Sequence, residues 1–230
     1  MNRDVTNVIR YMMDELLPPV IRDNKYFMYP FFYYAFNGKN IRTMMEFKSL
    51  VPFMSDEEYE KVYRELDPIG KYRPTDLNRK CVSHILNEVT DDMESVIDIG
   101  CGRGYFLEQL VKKGARNIWG CDLFDAVPVP GTQYQKGNIE NLPFPDNSFD
   151  VVICSHILEH VKDFDKAVSE IKRIARKKVI VTVPKQRYYY YTLDLHVRFF
   201  HKEADLIAAM KMERYTIKAL NGDFVFVGEK

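Results

Sequence analysis

The chain has 230 residues, enough for one α/β domain with a sizeable extension or for two small domains. Apolar residues make up 46% of it, ample for a buried core, and 33 basic side chains balance 33 acidic ones. A formal net charge of zero supplies no global field for a polyanion, which argues against extended nucleic-acid binding.

Residues 1–90 read as helical. Val5, Val8, Ile9, Met12, Met13 and Leu16 form one apolar stripe, stopped by Pro18 and Pro19. The aromatic run from Tyr26 to Phe36 has no clean period and does not read as a single helix. It is a lid or acceptor wall in one reading and internal packing in the other. With Pro30 inside it, it is far shorter than the ~20 residues of a membrane helix. Ser55-Asp-Glu-Glu58 is a capping box leading a helix with Tyr59, Val62, Tyr63 and Leu66 on one face, ended by Asp67-Pro-Ile-Gly70. A helix from about Thr75 to Val89 carries Val82, Ile85, Leu86 and Val89 toward a sheet.

From Ser95 onward strands and helices alternate, which implies an α/β sandwich. The apolar strand Val96 to Ile99 runs into Gly100, Gly102 and Gly104, and a helix opens at Tyr105. Glycines so placed let a backbone approach a ligand closely, and the helix start behind them offers free N–H groups. Leu107, Leu110 and Val111 fall at helical spacing before a Gly114 cap. Asn117 to Asp122 is a second strand ending on an acid. That acid lies about twenty residues past the glycines, as suits a group bonding ribose hydroxyls.

Residues 137–150, Gly-Asn-Ile-Glu-Asn-Leu-Pro-Phe-Pro-Asp-Asn-Ser-Phe-Asp, precede a strand, Val151 to Cys154, and then Ser-His-Ile-Leu-Glu-His-Val161. A helix from Phe164 to Ala175 and a fifth strand from Lys178 to Val183 follow. The basic cluster Lys172, Arg173, Arg176, Lys177 and Lys178 reads as complementing that helix's C-terminus. Gln186 to His196 holds four successive tyrosines just past a strand end, the edge where open α/β sheets bind ligands. Tyr215 to Leu220 and Asp223 to Gly228 flank Asn221-Gly222, a hairpin signal. Cys81, Cys101, Cys121 and Cys154 form no C-x-x-C pair, which points to a reducing compartment, the cytoplasm, and to no metal site. The N-terminus lacks the apolar core of a secretion signal.

The pattern Asp98-x-Gly100-x-Gly102-x-Gly104, together with the segments from 137 to 161, resembles motif I and the adenine-binding and fourth-strand motifs of the class I S-adenosylmethionine (SAM)-dependent methyltransferases. The likeness covers roughly residues 75 to 230. A dinucleotide fingerprint spaces its glycines G-x-G-x-x-G, so the third glycine here comes one residue early. The resemblance implies a Rossmann-like seven-stranded mixed sheet closed by the terminal antiparallel hairpin. It divides the chain into a helical extension covering the substrate, 1–74, and a SAM-binding domain, 75–230.

Carried over residue by residue, the resemblance has Asp98 orient the loop and reach the amino-acid end of SAM through water. Gly100, Cys101, Gly102 and Gly104 present backbone to the cofactor. Asp122 bonds the ribose, with Leu123 and Ile139 on the two adenine faces. Asn138 accepts from the adenine amino group, where the family usually has an acid. Ser155 and His156 flank the sulfonium. One or two of Tyr188, Tyr189, Tyr190 and Tyr191 face the acceptor. His156 is the first candidate base and His196 the second, since histidine titrates near neutrality.

The implied reaction is methyl transfer to oxygen or nitrogen of a small or medium acceptor. A sugar or glycan precursor, a nucleotide-linked precursor or a natural-product intermediate would serve. Two other readings remain: an NAD-dependent oxidoreductase, opposed by the glycine spacing and the hairpin, and a catalytically silent SAM-fold partner subunit, opposed by the intact loop and Asp122. The acceptor's identity and the oligomeric state are not legible in the sequence.

Overall fold

Strand β1 (Val96–Ile99) is buried along its whole length, as an interior strand of a parallel sheet must be. Residues 12–66, 74–125 and 129–230 are described in this computed structural model. The chain divides into two units, Met1–Arg73 with Gln186–Phe199, and Pro74–Lys185 with Phe200–Lys230.

In the second unit β1 pairs in parallel with β2 (Ile118–Asp122) and, on its other side, with β4 (Phe149–Ser155). Beyond β2 lies β3 (Thr132–Lys136), and beyond β4 lies β5 (Ala175–Pro184). The hairpin β6 (Arg214–Leu220) and β7 (Asp223–Glu229) joins through an antiparallel β5–β7 pairing. The order is β3-β2-β1-β4-β5-β7-β6, the seven-stranded mixed sheet that was expected. It reverses between β1 and β4, and ligands of open α/β sheets lie beyond the carboxyl ends at that switch point.

The two faces alternate along each strand. Ile97, Ile99, Val152, Val179 and Val181 pack with Phe164, Ile171 and Leu206 of the helices Phe164–Ile174 and Glu203–Met210. Val96, Val151, Ile153 and Ile180 pack with Ile85, Leu107 and Leu110 of the helices Arg79–Glu88 and Tyr105–Lys113.

The sequence did not single out β3. Thr132-Gln-Tyr-Gln-Lys136 buries none of its side chains fully, because it is an edge strand, so it carries no apolar signal. The first helix of this unit starts at Arg79 and not near Thr75, because Asn78 is its cap, accepting from the Cys81 N–H at 3.0 Å. The helix at Glu203 lacks a Ser or Thr cap. Instead the Asp205 carboxylate accepts from the His201 and Lys202 N–H groups at 3.0 and 2.8 Å.

Strand β5 begins earlier than expected, so Arg176 and Lys177 stand on it beside Lys178 and not at the helix end. Arg176 and Lys177 both meet Asp150, Lys178 meets Glu88, and Arg173 meets Glu170 and Asp146. Opposed acids thus absorb much of the basic cluster.

In the first unit, Tyr26 to Phe36 corrects the reading of an irregular run. Lys25–Ala35 is one helix, capped by Asn24 Oδ1, which accepts from the Tyr26 and Phe27 N–H groups. Met28, Phe32 and Phe36 form its buried stripe at four-residue spacing. Its outward face is aromatic too, with Tyr26, Tyr29, Phe31, Tyr33 and Tyr34 exposed, and that hid the period. The Ser55–Glu58 capping box forms reciprocally and starts the helix Asp56–Leu66, with Tyr59 and Val62 buried. Met12–Leu16 is a short π-helical stretch whose Met12 and Leu16 face outward, against the expected stripe. Val5, Val8, Ile9 and the Asp67-Pro-Ile-Gly70 stop lie outside the described residues. Among the described residues no helix is long and apolar enough to cross a membrane.

Asp150 ties three elements together, accepting from the Glu94 N–H at 2.8 Å and pairing with Arg176 at 2.9 Å and Lys177 at 3.0 Å. Burial pushes its carboxyl up, but the Glu94 N–H, Lys177 and Arg176 outweigh this and hold it below 3.8. Its stabilisation is therefore present above that value and lost as pH falls through the native pKa. Asp150→Asn should lower the unfolding free energy by about 2 kcal/mol at neutral pH. Urea titrations at pH 7 and pH 3 should show this deficit shrinking in acid.

Candidate active site

The carboxyl ends of β1, β2 and β4 meet around the glycine loop. Gly100 has φ +74° and Gly102 φ +51°, both in the left-handed region that favours glycine. A Cβ on Gly100 would stand 2.1 Å from Ile157 Cδ1, so the Ile157 side chain lies flush on that glycine. A Cβ on Gly102 would meet nothing within 4 Å, so this face of the loop is open. Gly104 has a different task, since it caps the Tyr105–Lys113 helix at φ +78° beside Val129.

Asp122, at the end of β2, is fixed before any ligand arrives. Its Oδ2 accepts from the Gly102 N–H at 2.8 Å and its Oδ1 from the Phe124 N–H at 3.1 Å. Each oxygen keeps a lone pair, which suits a ribose diol. The loop itself hangs on β2 through Gly100 and Cys101 N–H groups donating to the Cys121 carbonyl. Asp98 is buried at the end of β1, and burial, with Asp122 nearby, pushes its carboxyl up to about 8. Burial thus pushes Asp98 toward its neutral acid.

At the adenine end, Leu123 is half-buried and Ile139 is 9% exposed. Asn138 turns its Oδ1 onto the Glu140 N–H at 2.9 Å, so one acceptor site is already used locally. Glu140 does not replace the missing family acid, because its Oε1 accepts from the Lys162 and Asp163 N–H groups. Ser155 ends β4 with a buried Oγ that has no hydrogen-bond partner. That orphaned hydroxyl, the open face of Gly102 and the oriented Asp122 fit SAM.

His156 departs from the base role expected of it. Its Nδ1 lies 3.1 Å from Glu159 Oε1 and its Nε2 lies 3.7 Å from Asp223 Oδ2, with both carboxylates fully buried. Burial alone would lower its pKa, but Asp223 and Glu159 carry it up to about 10. Two buried acids beside the ring favour its protonated form, which leaves no lone pair to receive a proton. The sequence reading gave Glu159 and Asp223 no role. Glu159 stood within Leu158-Glu-His-Val161 and Asp223 after the Asn-Gly turn, but only folding brings them to one imidazole.

The remaining predicted residues lie in the first unit. Tyr189 is 1% exposed beneath the Arg22 guanidinium, 4.6 Å from its ring centre, so it is core and does not face an acceptor. Tyr190 and Tyr191 are half-buried and pinned through their backbones: Lys48 donates to the Tyr190 carbonyl and Arg22 to that of Tyr191. Tyr188 is 56% exposed, its ring against Phe199. His196 Nδ1 lies 2.7 Å from Gln186 Oε1, and the Gln186 amide is oriented by donating to Asp194. Nδ1 is therefore the donor to Gln186, with the Asp194 carboxylate 3.3 Å away.

Gly102→Ala should fold, at a cost of about 1 kcal/mol for its left-handed backbone, and should weaken S-adenosylhomocysteine binding by calorimetry. Gly100→Ala should lose much of its folding stability as well, since Ile157 blocks the new methyl. For His156 the folded pKa lies above the ordinary 6.5, so its stabilisation is complete below that value and disappears as pH climbs toward about 10. The stability gap between the wild type and His156→Gln should be widest near pH 6 and close in alkali, as read from chemical denaturation.

Comparison with known proteins bears on this geometry. A family model described as a methyltransferase domain matches residues 97–183. A probable S-adenosylmethionine-dependent methyltransferase of Mycolicibacterium smegmatis is 36% identical over 87 residues, 35% of this chain and 34% of that protein. A ubiquinone biosynthesis O-methyltransferase of Coxiella burnetii is 34% identical over 108 residues, 42% of this chain and 46% of that one. The chain thus spans less than half the length of these relatives. A SAM-dependent methyltransferase structure from Aquifex aeolicus superposes with TM-score 0.52 at 15% identity, covering 64% of this chain and 88% of its own, a likeness of fold. The matched segment runs from β1 through β5, so residues 97–183 carry a methyltransferase domain like those of the SAM-dependent methyltransferases.

Proposed function

We propose that the protein transfers the methyl group of SAM to an oxygen or nitrogen of a small or medium acceptor, of the sugar or glycan-precursor, nucleotide-linked or natural-product kind. The observation that carries this reading is the open face of Gly102 between the ends of β1 and β2, beside an Asp122 carboxylate already oriented to receive a ribose diol. The glycine spacing and the terminal antiparallel hairpin speak against NAD. The resemblance to an O-methyltransferase supports an oxygen acceptor within this class. The four cysteines, all buried thiols, support a reducing compartment such as the cytoplasm.

When bound, SAM supplies a methyl group already activated on sulfonium. The residues of the chain then have three tasks. Asp122, Asn138 and Ile139 hold the nucleoside. Ser155 and the glycine loop bound the reacting end and exclude water. His196 is the candidate base for the acceptor's proton, and Tyr188 the candidate acceptor contact.

S-adenosylhomocysteine should raise the melting temperature while NAD leaves it unchanged; the opposite result would overturn the cofactor reading. With an acceptor found by screening glycan precursors and cell extracts with methyl-labelled SAM, His196→Ala should cut kcat by at least about tenfold. Its SAM affinity should stay at the wild-type level. A variant with full turnover would remove His196 as the base.

A further inference from the structure

We propose that His156 is a positioning device for the cofactor loop: bonded to Glu159 and set beside Asp223, it fixes the turn after β4 so that Ile157 seals Gly100. This inference rests on the SAM-binding reading above. Three observations lead to it.

The first is the backbone. His156 has φ +56°, a left-handed conformation that side-chain-bearing residues adopt reluctantly, and surrounding contacts must hold it there. Its N–H donates to the Thr182 carbonyl of β5 at 2.8 Å, and the two carboxylates hold its ring.

The second is the anchor. Asp223 Oδ2 also accepts from Asn78 Nδ2 at 2.8 Å, and Asn78 donates to the Leu220 carbonyl at 2.9 Å while capping the Arg79–Glu88 helix. The charge cluster therefore joins the start of that helix, the hairpin turn and the end of β4. None of these side chains needs to touch the cofactor.

The third is what the turn delivers. The residue after His156 is Ile157, whose Cδ1 occupies the space a Gly100 side chain would fill. Gly100 and Cys101 hang on the Cys121 carbonyl, and Gly102 N–H on Asp122. A shift of Ile157 thus moves the floor of the loop that holds SAM, while chemistry at the acceptor is untouched. His156 is a positioning residue and not a proton carrier.

The test is calorimetric and kinetic, on the full chain. His156→Gln and Asp223→Asn should each raise the dissociation constant for S-adenosylhomocysteine about tenfold. The double variant should be no weaker than either single, as coupled partners require. At saturating SAM, kcat should stay near wild type while KM for SAM rises. Unchanged affinity in both singles overturns the inference, and so does a fall in kcat with affinity retained. Should those variants fail to fold, Ile157→Ala leaves the cluster intact and must still weaken the same ligand; wild-type affinity there overturns the inference. Failure of the wild type itself to bind S-adenosylhomocysteine would defeat the SAM reading instead.

Discussion

One contact governs the carboxyl edge of the sheet: the Ile157 side chain laid on the bare backbone of Gly100. It brings the end of β4 against the loop that leaves β1, the two strands between which the sheet order reverses. A Cβ on Gly100 would part them. The left-handed backbone at Gly100, the orientation of Asp122 and the open face of Gly102 all presuppose that closeness.

Electrostatics at this edge run against ordinary packing. Asp98 is buried beside Asp122 with its carboxyl raised, and His156 sits between two more buried acids. Burying so many carboxylates near one another opposes folding unless cations or donors meet them. His156 meets two of them from within the chain. The Gly102 and Phe124 N–H groups meet Asp122, and burial pushes Asp98 toward its neutral acid.

Much of this was legible in the sequence because local rules carry it. The glycines, the acid ending β2, the Asn-Gly turn and the capping box each declare themselves within a few residues. What stayed hidden depended on distant partners. Strand β3 is polar and at the sheet edge, so it shows no alternation to read. The helix at Lys25 has aromatic residues on both faces, so its buried Met28, Phe32 and Phe36 did not stand out. His156 looked like a base because the acids that protonate it stand three and sixty-seven residues away in the chain. Tyr189 looked like a ligand contact because nothing local announces Arg22 above its ring.

The assignment of Gln186–Phe199 to the helical unit has a consequence for how this chain can be cut. The backbone passes between the units near residues 73, 185 and 199, so no single cleavage separates them. Removing the leading helices alone would strip Tyr189 of Arg22 and the Tyr190 and Tyr191 carbonyls of Lys48 and Arg22, leaving apolar rings in water on an orphaned strap. The two units are thus threaded through one another along the chain and cannot be parted by trimming one end.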